Sequence, residues 1–408
     1  MTAKHVIIVD TALKTPPLGG VHTFLMTLAR QLLCSGYAIT MITDDGPEPS
    51  VAIELSNAGA IIVDDLWNRR DLPERRARKL AKYVNQECPY GYIVSTTPAV
   101  GWLALPWINP DIPTMSIAHN DVDAYYAPLQ HYGRFIDCAV GVSKAIAESI
   151  STNCQAVSQR FRCIHYGVNS FSEQLVNNKI LSRDVTQPLV IGFVGRLDQM
   201  QKRIMDVVPV VQELAHRGLE CTFRFLGDGP DRGRLERALD AIKHNHRVEF
   251  LGWLPRKRLF EEVEKLDCIT LFSAFEGLPI AMLEAMGRGV VPVLSNIRSG
   301  NSQLIDQGQN GFLAEVGDFS AYADALEVIH RDPMRMKEMQ FRAWTTARDY
   351  SVEMMGEEYS RCFNDLNAPE FSRSHRPNAG HYDLMSSCRS RYPIWIRQIR
   401  QYLNPRTT

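Results

Sequence analysis

The chain has 408 residues, 45% hydrophobic and 22% charged, so it is too long for one small module and has the composition of a folded protein. The formal net charge of −1 is unevenly spread: residues 367–408 carry seven arginines and two carboxylates, a net of +5, which leaves −6 on the rest. An acidic body argues against a general nucleic-acid binder. No apolar run approaches the roughly eighteen residues of a membrane span, which argues against an integral membrane protein.

The cysteines and the first residues of the chain indicate in which cellular compartment the protein is expected. Nine cysteines are scattered singly without a C-x-x-C pair, which is typical of reduced thiols and not of a disulfide framework or a zinc site. The chain opens without the long apolar stretch of a secretory signal. We therefore expect a cytoplasmic protein.

Short apolar segments bounded by turn residues alternate with helical patterns along the chain. The first series of candidate strands is 6–9, 38–43, 60–63, 92–95, 114–118 and 139–142, and the second is 189–194, 222–226, 248–251, 268–272 and 290–294. Buried strands separated by helices are typical of parallel sheets covered on both faces. The pattern predicts an α/β protein with two Rossmann-like, doubly wound domains.

The division between these domains is predicted from composition. Residues 171–187 are polar without apolar periodicity, which predicts a linker between a domain at 1–170 and a second at 188–348. Ligands of such sheets bind beyond the carboxyl ends of the strands, so two facing domains would share one interdomain cleft. The chemistry is therefore expected in the loops that follow strands.

The first such loop contains Gly19 and Gly20, which directly precede an apolar-periodic helix. Glycines at a helix N-terminus let the backbone approach an anionic ligand. The dinucleotide fingerprint G-x-G-x-x-G is absent, which disfavours a nicotinamide oxidoreductase. A plain flexible turn explains this loop equally well.

The second loop combines a glycine with two cations. Gly195 ends a strand, Arg196 follows it directly, and Lys202 lies six residues further on. Arginine supplies a fork of donors and lysine a point charge, so the pair suits a diphosphate. The alternative is a solvated basic loop, which is common.

The third loop places two carboxylates around a helix start. Glu276 lies just before Pro279, a residue typical of a first helical turn, and Glu284 lies inside the predicted helix. Their spacing suits opposite ends of an extended ligand with hydroxyl groups, and the N–H groups of Gly277 and Leu278 could meet an anion between them. The alternative makes Glu276 a cap and Glu284 a surface residue, but the neighbours of Glu284 are unusually apolar for that.

Together these segments resemble the retaining glycosyltransferases of family 4, which have the GT-B fold, from the first strand to about Asn364. The E-x7-E signature of the family is matched by Glu276 and Glu284, and its G-R-L element with a following lysine is matched by Gly195, Arg196 and Lys202. Its glycine-rich first loop is matched by Gly19 and Gly20, and its Gly-x-Gly-Pro turn by residues 227–230. Each match is weak alone, but their order and spacing are specific.

The resemblance implies a nucleotide-sugar donor bound mainly by the second domain. Arg196 and Lys202 would contact the phosphates, Glu276 the hydroxyls of the donor sugar, and Glu284 the ribose. It also implies a last helix at 349–366 that crosses back onto the first domain.

His119 follows a first-domain strand, where the family often has a histidine that reaches the donor sugar, so the resemblance implies that role for it. A lone histidine after a strand is also common as a structural residue. Asp121 and Asp123 form a D-x-D, the metal-binding signature of the other common glycosyltransferase fold. That fold would leave the second-domain motifs unexplained, so we expect neither a required metal nor a cofactor.

The basic tail at 367–408 departs from the family pattern. Its arginines, among them Arg389, Arg391, Arg397 and Arg400, are interleaved with aromatic and aliphatic residues. Such a stretch could lie on an anionic membrane surface at the inner face, or dock on the acidic body. The sequence favours docking slightly.

The expected function is retaining transfer of a sugar from a nucleotide diphosphate-sugar to a hydroxyl acceptor in surface polysaccharide or glycolipid assembly. The expected partners are that donor and a glycan or lipid-linked acceptor. The alternatives are a noncatalytic nucleotide-sugar-binding partner of a glycan assembly and a GT-B phosphorylase or epimerase. The motifs do not identify the base, the sugar, the acceptor or the oligomeric state.

Overall fold

The computed structural model describes residues 3–10, 20–43, 49–68, 70–95, 99–242 and 246–376. These residues form two parallel sheets, each covered by helices on both faces, as the apolar segments predict. We refer to each sheet with its helices as the first and the second domain.

The first sheet has seven strands in the order β3-β2-β1-β4-β5-β6-β7, all paired in parallel. Their bounds are β1 (His5–Asp10), β2 (Ala38–Thr43), β3 (Ile61–Val63), β4 (Gly91–Ser95), β5 (Thr114–Ala118), β6 (Cys138–Gly141) and β7 (Phe161–Cys163). The central strands are buried along their whole length, which explains why their sequences do not alternate.

The second sheet has six strands in the order β10-β9-β8-β11-β12-β13, also parallel. Their bounds are β8 (Leu189–Val194), β9 (Cys221–Leu226), β10 (Arg247–Gly252), β11 (Cys268–Leu271), β12 (Val291–Ser295) and β13 (Phe312–Ala314). The strand order reverses between β8 and β11, so the loops after these two strands flank the crevice where ligands of doubly wound sheets bind.

The helices of the described residues connect these strands. Their bounds are α1 (Gly20–Cys34), α2 (Pro49–Asn57), α3 (Pro73–Glu87), α4 (Ala99–Ala104), α5 (Asp123–Tyr132), α6 (Lys144–Asn153), α7 (Glu173–Ser182), α8 (Val207–His216), α9 (Arg232–Asp240), α10 (Arg256–Val263), α11 (Ile280–Met286), α12 (Asn301–Leu304), α13 (Phe319–Arg331), α14 (Pro333–Arg348) and α15 (Val352–Leu366). Within the described ranges, no helix has the length and apolar character required to cross a bilayer.

The segment at 171–187 differs from the expectation that it lacks periodicity. It contains α7, whose Val176 and Ile180 are buried together with Trp344 of α14. Two apolar residues four positions apart are enough to seat a short helix, although they are too few to stand out in a polar sequence. The limits of the domains and of the linker remain predictions.

The last helix lies on the first domain. α15 packs along α1, where Gly356 approaches Gln31, and its Phe363 covers Gly91 at the start of β4. Near its end, Asn364 accepts a hydrogen bond from Lys4 Nζ at 2.7 Å. The chain therefore finishes its second domain and returns to the first.

The described start of the basic tail docks on the first domain. Asp137, which is fully buried, is surrounded by Arg373, His375 and Arg376. Arg376 Nε donates to Asp137 Oδ1 at 3.0 Å. The arginine and aromatic cluster at 389–403 lies outside the described residues, so membrane contact by that part stays a prediction.

Candidate functional site

The loop after β8 is built by close backbone approach. Gly195 has φ 146°, and a Cβ added to Gly227 would come within 1.9 Å of the Gly195 carbonyl oxygen. A Cβ at Gly229 would equally collide with the Leu197 backbone, at 2.3 Å. The Gly-x-Gly-Pro turn after β9 is thus glycine-rich because it supports the loop that carries Arg196.

Asp198 organises this loop. Its carboxylate accepts from Arg196 Nε at 2.8 Å and from the Gln201 N–H at 2.8 Å. The Gln201 carbonyl in turn accepts from the Ala274 N–H at 2.8 Å. These bonds tie the loop after β8 to the loop after β11.

The tie brings Lys202 and Glu276 together. Lys202 Nζ lies 2.5 Å from Glu276 Oε1, and the same oxygen accepts from Ser273 Oγ at 2.7 Å. The Glu276 side chain is 7% exposed and that of Lys202 17%, so the pair is mostly shielded from water. Glu276 Oε2 has no hydrogen bond to the described part of the chain, which leaves it available to a hydroxyl group.

Glu284 lies inside α11 and is also buried. Arg256 Nη2 of α10 is 3.0 Å from Glu284 Oε1, but the N–H is not directed at the oxygen, so the contact is an ion pair without hydrogen-bond geometry. Burial raises the pKa of Glu284 and is opposed by the charges of Arg256 and Arg288. A buried carboxylate that lacks a well-aligned donor is suited to accept hydroxyl groups.

Arg196 lies apart from these carboxylates. Its side chain is 53% exposed and its ion pair is with Asp198. Within the described residues it forms no ion pair or side-chain hydrogen bond with Glu276. The two predicted phosphate ligands are therefore held by different acids, and Arg196 is the more exposed of the two.

His119 faces this cluster from the first domain. Its ring is buried, with Nε2 3.0 Å from Ser95 Oγ and Nδ1 2.7 Å from Tyr166 Oη. Burial lowers the pKa of His119 to about 3, so the ring is neutral at physiological pH. Burial, and after it the negative charge of Glu276, raises the pKa of Tyr166 well above its usual value. The charge of Glu276 thus affects the Tyr166 hydroxyl, which is in hydrogen-bond contact with His119.

The glycines of the site line the contact between the domains. A Cβ at Gly20 would lie 3.5 Å from Ile280 Cδ1, so the start of α1 meets the start of α11. In the described ranges, the N–H groups of Gly277 and Leu278 donate to no protein acceptor. Gly19, the other predicted glycine, lies outside the described residues.

The first aspartate of the D-x-D has structural partners. Asp121 Oδ1 accepts from Tyr126 Oη at 2.6 Å and from Ser149 Oγ at 3.0 Å, and Oδ2 pairs with Arg298 Nη1 at 2.9 Å. Asp123 is the first residue of α5. Among the residues that the structure describes, no three His, Cys, Asp or Glu side chains are grouped to hold a metal ion.

Four residues of the site were missed by the sequence analysis: Ser273, Asp198, Arg256 and Tyr166. Asp198 directly follows the G-R-L element, and Ser273 lies three residues before Glu276, so proximity to the motifs was their only signal. Arg256 belongs to a basic run that is typical of a helix surface. Tyr166 lies beyond β7, a strand that the apolar pattern did not reveal.

Two family models match the chain. Residues 18–170 match the model described as Glycosyltransferase Family 4, and residues 188–332 match the model described as Glycosyl transferases group 1. The two matches cover the first domain from residue 18 onward and most of the second, including each predicted site residue.

Curated proteins with similar sequences are glycosyltransferases. Alpha-D-kanosaminyltransferase of Streptomyces kanamyceticus is 27% identical over 181 residues, which cover 44% of this chain and 46% of that protein. Lipopolysaccharide 1,6-galactosyltransferase of Escherichia coli is 24% identical over 229 residues, which cover 53% of this chain and 58% of that protein. The chain thus spans about half the length of the curated relatives it matches.

A solved structure with a similar fold is Anabaena HepE in complex with UDP-glucose. The TM-score is 0.70 at 16% identity, and the match covers 88% of this chain and 99% of that one. At this identity the likeness concerns the fold, which is GT-B.

Proposed function

Because the chain belongs to the family 4 glycosyltransferases, which have the GT-B fold, we propose that it transfers a sugar from a nucleotide diphosphate-sugar to a hydroxyl acceptor with retention. The observation that carries the proposal is the mostly shielded ion pair between Lys202, in the loop after β8, and Glu276, in the loop after β11, opposite the His119 loop. A cation and a carboxylate side by side can contact the two ends of a glycosyl phosphate.

The donor is proposed to lie between the two acidic residues of α11 and its preceding loop. Glu276 would accept hydroxyls of the donor sugar through its unused oxygen, and Glu284 would accept ribose hydroxyls at the position that Arg256 now approaches. Arg196 and Lys202 would share the diphosphate, together with the N–H groups of Gly277 and Leu278. In the bound state each cation would exchange or share its present carboxylate partner.

The proposed reaction needs no protein nucleophile. The bond from the anomeric carbon to the diphosphate oxygen breaks, and the acceptor oxygen forms its bond on the same face. The acceptor proton passes to the departing phosphate, while Lys202 and Arg196 stabilise the negative charge that develops there. His119 is proposed to bind the donor sugar by hydrogen bonding and not by proton transfer, because its low pKa keeps the ring neutral. To do so, the ring would have to exchange its bond with Ser95 or Tyr166.

The proposed setting is polysaccharide or glycolipid assembly, with a glycan or lipid-linked glycan as acceptor. Support comes from the galactosyltransferase relative, whose name specifies lipopolysaccharide. The UDP-glucose complex of the fold neighbour makes UDP-sugars the first donors to test.

The test is nucleotide release by the purified full chain across a panel of UDP-, GDP- and ADP-sugars, without and with candidate glycan acceptors. We compare the wild type with Glu276→Ala and with Glu261→Ala, a matched loss of a half-buried glutamate on α10. Release from one donor that is lost only in Glu276→Ala would support the site.

Three other outcomes separate the alternatives. Binding of a nucleotide-sugar without turnover under any acceptor would favour a noncatalytic partner. A strict requirement for inorganic phosphate would favour a phosphorylase, and a changed sugar released without acceptor would favour an epimerase. Equal turnover by Glu276→Ala and the wild type would refute the site.

A further inference from the structure

A single arginine of the second domain reaches two elements of the first. Arg298, in the loop after β12, donates through Nη1 to Asp121 Oδ2 at 2.9 Å and to Ser149 Oγ at 2.7 Å. Its Nη2 donates to the Ala145 carbonyl oxygen at 3.2 Å. The guanidinium therefore joins one loop of the second domain to α6 and to the loop after β5.

Gln303 of α12, a few residues after Arg298, makes a second set of contacts with the first domain. Its Oε1 accepts from the Lys144 N–H at 3.1 Å, and its Nε2 lies 2.9 Å from Nε2 of His165. The segment around Arg298 is thus attached to the first domain at two separate points.

The same loop supports the one that carries Glu276. The Gly300 N–H donates to the Gly277 carbonyl oxygen at 2.6 Å, and a Cβ at Gly300 would come within 2.4 Å of Leu278 Cδ1. Gly277 in turn lies directly against the carbonyl of His119. Because Asp121 is two residues beyond His119, the loop after β5 contacts both second-domain loops at once.

The two ends of the Arg298 contact differ in burial. The Asp121 carboxylate is 9% exposed and is also held by Tyr126 and Ser149, so it is a fixed acceptor. The Arg298 side chain is 59% exposed and can swing into solvent. If the two domains moved apart, Arg298 would leave Asp121. The largely buried Asp121 carboxylate would then have no cation beside it, which is unfavourable.

We propose that Arg298 is a positioning residue, whose bonds to Asp121 and Ser149 form a latch that holds the two domains together. The latch keeps the loop that carries Glu276 in its position next to His119. The effect on turnover rests on the proposed function. The latch itself is a property of the free protein and can be measured without any substrate.

The experiment is small-angle X-ray scattering of the full chain at low salt and at about 0.5 M NaCl, where surface charges are strongly screened. The proteins are the wild type, Arg298→Ala, Arg298→Lys and Arg361→Ala. Arg361 is a matched control because it is 62% exposed and its ion pairs, to Glu357 and Glu358, stay within α15.

At low salt we expect a larger radius of gyration for Arg298→Ala than for the wild type and Arg361→Ala, with Arg298→Lys between them. The wild type should approach Arg298→Ala in high salt. The melting temperature of Arg298→Ala should fall, because the largely buried Asp121 carboxylate loses its cation, so the scattering dimensions and not the stability test the latch. For turnover, we expect KM for the donor to rise about tenfold in Arg298→Ala with a smaller loss of kcat, because misplaced loops weaken donor binding.

The outcomes separate the two proposals. Equal scattering of Arg298→Ala and the wild type at both salt concentrations would overturn the latch, whatever the activity. Larger scattering dimensions of Arg298→Ala, in a chain that turns over no nucleotide-sugar, would leave the latch standing and count against the proposed function.

Discussion

The carbonyl oxygen of His119 occupies the space that a side chain at Gly277 would need. A Cβ added to Gly277 would lie 2.0 Å from this oxygen and 3.1 Å from Ile146 Cδ1, both in the first domain. The obstacle is backbone, which cannot rotate away as a side chain can. The loop that carries Glu276 therefore reaches the first domain only because residue 277 is glycine.

Gly277→Ala should consequently push the two domains apart. Because a displacement of about 1 Å in a positioned group can cost on the order of a hundredfold in rate, we expect kcat/KM for nucleotide release to fall at least tenfold. The unfolding free energy of each domain should change little. Gly233→Ala is the matched control, since its nearest neighbour is a flexible arginine tip at 3.6 Å. Wild-type kinetics in Gly277→Ala would mean that the cleft is wider in solution.

How much of the fold could be predicted from the sequence depended on how clear the local apolar pattern is. The strands that lie at the centre of each sheet were predicted within one or two residues because they are continuous apolar runs. β3, β7 and β13 have three residues each and lie at sheet edges, but β3 was predicted because Ile61–Val63 consists of β-branched residues, of which β7 and β13 contain none. The helix at Glu173–Ser182 was missed because only two of its residues are buried.

The site residues divide in the same way. Glu276, Glu284, Arg196 and Lys202 were predicted because a motif fixes their spacing along the chain, and their roles remain predictions. The pairing of Lys202 with Glu276, and the approach of Arg256 to Glu284, join segments that are far apart in sequence. Such contacts depend on how the helices pack on the sheet, which local sequence does not specify.

The Lys202–Glu276 ion pair should be strongly coupled in stability. Lys202→Met would leave a mostly buried carboxylate without its cation, which typically costs about 3 kcal/mol. Lys202→Met with Glu276→Gln should recover most of that loss, because the uncompensated charge is then gone. Urea denaturation of the two single variants and the double variant measures the coupling. Strictly additive losses would show that the two side chains do not interact in solution.

His119 should make the fold sensitive to acid. Burial lowers its folded pKa from 6.5 to about 3, so between these values the unfolded chain binds the additional proton. The stability linked to the neutral ring is therefore fully present above pH 6.5 and is lost as the pH falls toward 3, by up to about 1.4 kcal/mol per pH unit.

We expect the wild type to lose more unfolding free energy than His119→Gln between pH 7.5 and pH 5.5, measured by chemical denaturation at each pH. The absolute stability of His119→Gln at pH 7.5 is not the criterion, since only the slope reports the titration. Parallel slopes in the two proteins would show that the ring is accessible to protons in the folded state.

Asp137 should decide whether the start of the basic tail stays docked. Its buried carboxylate accepts from the Thr114 N–H at 2.8 Å and pairs with Arg373, His375 and Arg376. Burial raises the pKa of Asp137, but the contact with His375 and the charge of Arg376 hold that pKa below its usual value. Asp137→Asn would remove the charge that both arginines face, and their own burial would then be uncompensated. We expect residues 367–376 to detach and the peptide bond after Arg373 to become a trypsin site.

Limited trypsin digestion followed by intact-mass measurement detects this cleavage at native pH. The expected change is at least a tenfold faster loss of the tail in Asp137→Asn than in the wild type, with the remaining body intact. Asp332→Asn serves as the control, because that residue caps α14 and is remote in sequence from the tail. Equal cleavage rates in Asp137→Asn and the wild type would mean that packing other than the charge cluster holds the segment. Faster cleavage would establish that one buried carboxylate of the first domain holds residues 367–376 in place.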